Sequence, residues 1–476
     1  MTQPRPSHAT RAVVLGGGLS GTLAAAALAS HVDEVLILDH DVLPDEPKAR
    51  PRLPHGDHAH MLWAGGADAM EQLLPGVIQE CLDGGARRIP VPTGMVSYAP
   101  AGWFRRSWEP THYLIGALRQ EFDLVVRRRV LALPTVRVRC GVKVIGLLGN
   151  AARVGGVRVR NEDHEPETVR ADLVVDATGR GSKAPTWLAE IGGPRVREIT
   201  VDAGVRYASR LYKAPAGADE NWPVIHIQAD PRGGEPGRVA SIISVGGGRW
   251  HVSLSGTRGG EPTAREEQFE DFAREARHPL VAEALARAEP ISDIAVYGRT
   301  ANRRRFYDRA RLPAGFVVLG DAATSLNPVY GHGMSASALG ALALRTVAES
   351  TPVPSSRFGM KAQRRIARPA ADAWLLAVGQ DRFYPNSIGA KPNIVDRIGA
   401  RYVARLTYTA TDSAVVVKSL TDVMTMRKRA GELFRLRVLV AAARGPRRPV
   451  LDAPPLTPFE LAILRRAPME RPTAKH

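Results

Sequence analysis

The feature that most restricts the fold of this chain lies near its amino terminus. An apolar run, Val13-Val14-Leu15, leads into Gly16-x-Gly18-x-x-Gly21, and an Ala-rich segment with helical character runs from Leu19 to Ser30. A second apolar run, Val35-Leu36-Ile37-Leu38, ends in Asp39. Strand, glycine turn, helix, strand and acid in this order are the parts of a βαβ dinucleotide site, with the acid near the usual spacing of about 20 residues. Gly16 serves the tight turn, Gly18 lets the backbone approach a pyrophosphate, and Gly21 lets helix and strand pack closely. The helix N-terminus, with an effective charge of roughly +0.5, attracts the phosphates, and Asp39 would accept hydrogen bonds from the adenosine ribose. Residues 11–30 also imitate a secretory leader, with Ala27-Leu28-Ala29 as a small-x-small site, but the placing of the glycines favours the nucleotide reading.

At 476 residues, 44% of them apolar, the chain is long enough for two packed domains. Gly 45 and Pro 36 are ordinary usage and Cys is only 2, which excludes collagen-like, disordered and disulfide-framework classes. Cys81 and Cys140 lie far apart without a CxxC or metal spacing, as expected of a cytoplasmic protein. Lys+Arg 65 against Asp+Glu 48 gives a net charge of +17, which permits contact with nucleic acid or an anionic surface. The basic clusters are short, as in Arg127-Arg128-Arg129 and Arg303-Arg304-Arg305, and no nucleic-acid-binding signature accompanies them. A solvated basic surface without a nucleic-acid partner is the expectation.

Further along, the pattern predicts a Pro-rich loop at 40–56, helices at 64–74 and 112–130, and Val-rich strands at 136–148 and 154–160. Asp172-Leu173-Val174-Val175-Asp176 reads as a strand buried in a parallel sheet. Alternating runs at 205–212, 224–228, 239–245 and 250–255 predict an antiparallel sheet. A helix over 264–288 and a strand near 291–299 follow, then a buried strand ending in Gly320-Asp321, a glycine turn and a helix from about 334. The remainder reads as helices with a basic, Pro-rich tail.

Three segments, GGGLSG at 16–21, DATGRGS at 176–182 and GDAATSLNPVYGHGM at 320–334, each end a buried strand in a glycine-containing turn. Together with RPRLPHGDHAHMLWAGG and VSLSGTRGGEP, they resemble the flavoprotein monooxygenases of the para-hydroxybenzoate hydroxylase type, and within them the bacterial flavin epoxidases of polyether biosynthesis, the lasalocid and monensin epoxidases. The resemblance implies FAD extended across all three turns. Gly16, Gly18, Ser20 and Gly21 would hold the pyrophosphate and Asp39 the ribose. Arg50 and Arg119 would reach phosphate or ribityl groups, and Val144 would offer adenine a backbone contact. Thr178 and Gly179 would border the cofactor, with Gly320 and Asp321 at the ribityl hydroxyls. Pro328 and the amides of Gly331, His332, Gly333 and Met334 would border the flavin ring, where a helix N-terminus favours negative charge on the reduced cofactor.

The fold expected is therefore α/β: a Rossmann-type FAD-binding domain interleaved with an antiparallel-sheet substrate domain, plus a C-terminal helical region. The FAD-binding parts would be 1–80, 111–198 and 299–350, the substrate parts 81–110 and 199–298, and the helical region 351–476. The activity implied is epoxidation, one oxygen atom from O2 passing through a C4a-hydroperoxyflavin to C=C bonds of a hydrophobic polyketide or terpenoid intermediate in antibiotic biosynthesis. No second GxGxxG follows a strand, so electrons would come from NADPH bound transiently or from reduced FAD supplied by a partner flavin reductase.

Where these epoxidases have Gln-Ala-Arg, this chain has His55-Gly56-Asp57, which leaves contacts there open. His55, Asp57, His58 and His60 admit a metal, a structural or an acid-base role; no second ligand group of matching spacing exists, so no metal is expected. His60, Pro328 and His332 are the catalytic candidates. Trp63, Tyr207 and Trp250 would line an apolar substrate pocket or pack as ordinary core. The stretch 434–444 could touch a membrane, without stable insertion. Competing activities are aromatic hydroxylation, halogenation (its Trp-x-Trp-x-Ile-Pro signature is missing) and prenyl-chain reduction (its Trp-x-Phe-Pro motif is missing). A non-catalytic flavin-binding protein and a basic nucleic-acid binder are the alternatives of another class.

Overall fold

The computed structural model describes residues 9–53, 56–161, 165–218 and 221–467. In chain order the elements that position the site begin with β1 (Arg11–Leu15), α1 (Leu19–Leu28), β2 (Glu34–Leu38), β3 (Val136–Arg139) and β4 (Leu173–Asp176). Next come β5 (Arg206–Lys213), β6 (Val224–Ile227), β7 (Arg238–Gly246), β8 (Arg249–Gly256) and β9 (Phe316–Val318). Helices α2 (Gly333–Ala348), α3 (Phe358–Asp381), α4 (Ile394–Ala410), α5 (Ala414–Met424) and α6 (Leu436–Arg444) complete the set.

Five strands form a parallel sheet in the order β9-β4-β1-β2-β3. Side chains alternate across it, so β1 feeds two cores. Ala12 and Val14 pack on one side with α1 and α2, while Val13 and Leu15 pack on the other with Val157 and Trp187. Burial on both faces is why β1, β4 and β9 are continuous apolar runs, whereas β3 at the sheet edge alternates Val with Arg. The mostly antiparallel sheet of eight strands contains β5 to β8, and Met95–Ala99 joins it parallel to β6. The fold is thus mixed α/β, with a parallel sheet, antiparallel sheets and C-terminal helices.

Two predicted helices are corrected. Residues His112–Ala117 form a strand, and the helix begins only at Arg119 and runs to Leu131. Tyr113, Leu114 and Ile115 suit a strand, and Gly116 lies so near another strand that a Cβ would come within 2.7 Å of the Ser244 carbonyl oxygen. The helix predicted over 264–288 is two helices, Glu266–Arg274 and Leu280–Leu285. Pro279, lacking an N–H, starts the second of them. The strand predicted near 291–299 is reduced to Glu289–Pro290 and Ala295–Tyr297.

Candidate active site

The register of the parallel sheet places the three glycine turns side by side. Leu15 pairs with Asp176, and Asp176 with Val318, so β1, β4 and β9 end level with one another. In such sheets ligands bind outside the carboxyl ends of the strands. The turns also touch. A Cβ on Gly16, whose φ is +95°, would lie 2.8 Å from the Ala177 carbonyl oxygen, and one on Gly320 (φ +65°) would lie 2.2 Å from Ser20 Oγ. Gly21 sits against Gly16, where a Cβ would fall 1.8 Å from its carbonyl oxygen. By contrast, Cβ atoms on Gly18, Gly179, Gly181 and Gly333 would meet nothing within 4 Å. The turns are tight against one another and open on the side where an extended ligand would lie.

The acidic residues differ in what they already hold. Asp39 Oδ2 accepts from Gly17 N (2.5 Å) and Arg50 Nη2 (2.8 Å), and Oδ1 accepts from Asp41 N (2.7 Å). A carboxylate offers about four acceptor sites, so one remains for a ligand hydroxyl. Arg50 also donates to the Gly17 carbonyl, bracing the first turn. Buried Asp176 stiffens the second turn by accepting from Thr178 N, Thr178 Oγ1 and Ser182 Oγ. The backbone carbonyl of Asp321 accepts from Ser325 Oγ, but its carboxylate accepts no hydrogen bond from the described residues. Lost hydration raises its pKa, and the guanidinium groups of Arg180, Arg119 and Arg303 draw it back. A carboxyl without partners beside three cations is an acceptor suited to ligand hydroxyls, and with the open cradle at Gly18 it makes the site fit FAD.

Other site candidates take less direct positions. Ser20 Oγ shares a hydrogen bond with Ser337 Oγ (2.9 Å), joining α1 to α2. Arg119 Nε donates to Asp123 Oδ1 (2.8 Å). Val144 packs partly buried beside the core below the sheet, and Met334 is buried in the core beneath α2.

A cavity of about 150 Å³ lies between the large antiparallel sheet and the segment from Asn327 to Gly331. Trp63, Tyr207, Pro328 and Gly331 are on its wall, whereas Trp250 is not. Alternation along β8 decides between the two readings of Trp250: Ser253 and Ser255 face the cavity, and Trp250 faces the opposite core, stacked on Trp222 at 5.0 Å and donating to the Ala218 carbonyl. Among the described residues the wall holds no lysine, arginine or glutamate, and its one carboxylate is Asp381. Its imidazole, His226, shares a hydrogen bond with Ser241 Oγ (2.7 Å), and burial pushes its pKa down to about 4.

One end of the cavity is set by residues that the sequence did not single out. Asp381, the last residue of α3, accepts from Asn302 Nδ2 (2.6 Å), Asn327 Nδ2 (2.9 Å) and Tyr330 Oη (2.6 Å). Asn327 Oδ1 in turn accepts from Tyr207 Oη (2.8 Å) and Val329 N (3.2 Å). The segment that carries Pro328 is thereby tied to the C-terminal helices and the sheet at once.

Of the histidine group, His55 lies outside the described residues. His58 Nδ1 shares a hydrogen bond with Ser209 Oγ (2.9 Å), and His60 Nδ1 donates to the His58 carbonyl (2.7 Å). Asp57 accepts from Gln120 Nε2. Among the described residues no three His, Cys, Asp or Glu side chains converge as a metal site would need. His332 stacks on Trp63, donates from Nε2 to the Met424 carbonyl and leaves Nδ1 buried without a partner. Burial lowers the pKa of His58, His251 and His332 to about 4. Below pH 6.5 the unfolded chain therefore binds protons that the native state refuses. Their contribution is full above pH 6.5 and is lost as the pH falls toward 4. At pH 5.5 these three and His226, whose pKa burial also lowers to about 4, together remove on the order of 5 kcal/mol relative to pH 8. Urea unfolding at the two pH values checks this, and equal stability at both would contradict it.

The fold is similar to that of solved FAD-dependent monooxygenases and halogenases. Among solved structures, the flavin-dependent brominase Bmp2 matches with a TM-score of 0.64 at 13% identity, covering 91% of this chain and 98% of that one. The p-nitrophenol 4-monooxygenase PnpA from Pseudomonas putida matches at 0.57 and 16% identity, over 92% and 100%. In sequence, Protein Rv3254 of Mycobacterium tuberculosis is 29% identical over 404 residues, 78% of this chain and 80% of its own length. The digeranylgeranylglycerophospholipid reductase 2 of Methanopyrus kandleri is 27% identical over 338 residues, 68% and 73%. No protein-family model matches the sequence.

Proposed function

We propose that this chain is an FAD-dependent monooxygenase that inserts one oxygen atom from O2 into a C=C bond of a hydrophobic small molecule, of polyketide or terpenoid type. The observation that carries the reading is the cavity, which adjoins the Pro328 turn and whose wall is largely apolar and without a cationic side chain. Transfer of oxygen to an alkene needs the alkene held in place and water excluded, and no base on the protein. Hydroxylation of a phenol gains from a base poised near the working pH; on this wall His226 is held to about 4 and the Asp381 carboxylate is already occupied by three donors.

In this reading the cofactor spans the turns at 16–21, 176–182 and 320–334. Amides at the start of α1 bind its pyrophosphate, Asp39 a ribose hydroxyl and Asp321 the ribityl hydroxyls. The amides from Gly331 to Met334 border the ring at the start of α2. Reduced FAD, when bound, supplies the activation of O2. Electrons come from NADPH or from a partner flavin reductase. The parts 1–80, 111–198 and 299–350 then serve the cofactor, and 81–110 and 199–298 the substrate.

The second reading is a flavin-dependent reductase, favoured by the name of the Methanopyrus kandleri relative. Rapid mixing of reduced, FAD-loaded protein with oxygenated buffer separates the two. A transient flavin absorbance band before reoxidation, with its decay accelerated by a polyene, is expected. Direct reoxidation without a transient, with or without the polyene, would move the assignment to the reductase.

A further inference from the structure

Among the described residues, most of the large apolar side chains that remain exposed fall between residues 388 and 440. Helix α4 has 17 residues, yet Leu406, Thr409 and Ala410 in its last turn are the only ones buried. Its outer turns present Ile394 (71% exposed), Val395 (72%) and Ile398. At the helical spacing of i, i+4, i+7 and i+11, Ile394 and Ile398 continue into Arg401 and Arg405 on one face. Helix α6 buries Val438 and Ala442 against its neighbours, and its opposite face carries Leu436 (76%), Leu439 and Val440 in the open. A helix that is apolar on the side away from its core has a second surface to satisfy.

The two faces are joined. Phe434, just before α6, is exposed and stacks on Tyr402 of α4 with ring centres 5.2 Å apart. Arg405 reaches from α4 to donate to the Ala442 and Ala443 carbonyls at the end of α6. The rim is strongly cationic. Glu432 faces Arg435 and Arg437 and shares Lys428 with Asp422, and Asp412 faces Arg105 and Arg448. The carboxylates are therefore outnumbered, and Arg397, Arg401 and Arg444 add to the excess. No helix among the described residues is long and apolar enough to cross a membrane.

We propose that α4 and α6 dock the protein on an anionic lipid surface, lying in the interface plane with Ile394, Ile398, Phe434, Leu436 and Leu439 in the acyl boundary and the arginines at the phosphates. Exposed aliphatic side chains flanked by guanidinium groups on a short helix are the chemistry that such a surface recognises. A polar protein partner would leave the aliphatic residues wet, and an uncharged apolar one would leave the arginines unpaired. The inference is independent of the reaction catalysed. It has one structural link to the cavity: α5, against which α6 packs, ends in Met424 on the cavity wall.

The test is flotation of the full chain with vesicles of phosphatidylcholine alone or mixed with phosphatidylglycerol, at low and high salt. Binding to the mixed vesicles is expected, weakened by salt. Arg401→Gln and Arg444→Gln should each reduce the partition coefficient about fivefold. Leu436→Asp and, on the other helix, Ile398→Asp should each reduce it at least about tenfold, with unchanged circular dichroism. Arg160→Gln, on an exposed strand end far along the chain, should change it less than twofold. Absence of binding to the mixed vesicles would overturn the proposal. So would equal binding by Leu436→Asp and Ile398→Asp, which would mean diffuse attraction to the net charge. A lipid-free dimer that Leu436→Asp dissociates in sedimentation, without vesicle binding, would assign the face to a second copy of the chain.

Discussion

Gly18→Val is expected to fold normally and to lose FAD, whereas Gly21→Ala is expected to be strongly destabilised. The two glycines belong to one motif and lie three residues apart, but their surroundings differ. A Cβ on Gly18 enters open space, and its backbone, with φ −77° and ψ −179°, is one that any residue adopts. Nothing in the protein resists valine there. What the side chain would fill is the approach to the N–H groups that open α1, so pyrophosphate affinity should fall by about 100-fold or more, equivalent to about 2.7 kcal/mol. A Cβ on Gly21 would stand 1.8 Å from the Gly16 carbonyl oxygen, a backbone atom fixed by the bond from Gly16 N to the Leu38 carbonyl. Relief requires α1 to move off β1, and overpacking of this kind costs about 3 kcal/mol or more. Urea unfolding of the flavin-free proteins and FAD retention on gel filtration check both arms. A yellow, fully loaded Gly18→Val protein would remove the pyrophosphate assignment, and a Gly21→Ala protein as stable as the parent would show that α1 packs otherwise.

This contrast indicates what was legible in the sequence. The order of strand, turn, helix and strand from 11 to 39 is local, since each of its parts is written in adjacent residues, and so are the apolar runs that end at Asp176 and Val318. That these three strand ends lie level depends on pairing between distant segments, which an extended ligand suggested and the register of β1, β4 and β9 supplies. The strands of the second sheet could be located by alternation. Which of their two faces looks into a cavity could not, because parity along a strand says only that Tyr207 and Trp250 stand on a pleated surface. The Asn327 segment, packed on one face, decides that Tyr207 is wall and Trp250 core. The strand His112–Ala117 was missed because it is followed without a break by a helix, and its glycine serves close contact with Ser244 of another sheet rather than a turn. Asp381 gave no local signal: its three partners come from positions 302, 327 and 330, and its own helix reads as an ordinary C-terminal helix.

Asp381→Ala is expected to destabilise the protein by about 4 kcal/mol and to loosen the wall beside Pro328. The substitution leaves Asn302 Nδ2, Asn327 Nδ2 and Tyr330 Oη without their acceptor in a buried setting. Each unpaired donor costs about 1–3 kcal/mol, less where a water can enter the space left behind. Removal of the carboxyl's own desolvation, which raises its pKa against the pull of its three donors, offsets part of the loss. Asp381→Asn retains the shape and one carbonyl oxygen but turns an N–H toward a donor, so about half the effect is expected. The consequence reaches the site because Asn327 stands between Asp381 and Tyr207: with its Nδ2 released, its grip on Tyr207 Oη and on Val329 N weakens, and with it the turn carrying Pro328 and Gly331. In the FAD-loaded protein the variants should therefore shift the flavin absorbance in the order Ala more than Asn, a change that general destabilisation far from the cavity would not produce. Urea unfolding supplies the first number and the visible spectrum the second. An alanine variant within about 1 kcal/mol of the parent would show that water replaces the carboxylate, and an unaltered spectrum would show that the Asn327 segment is held from the sheet side alone.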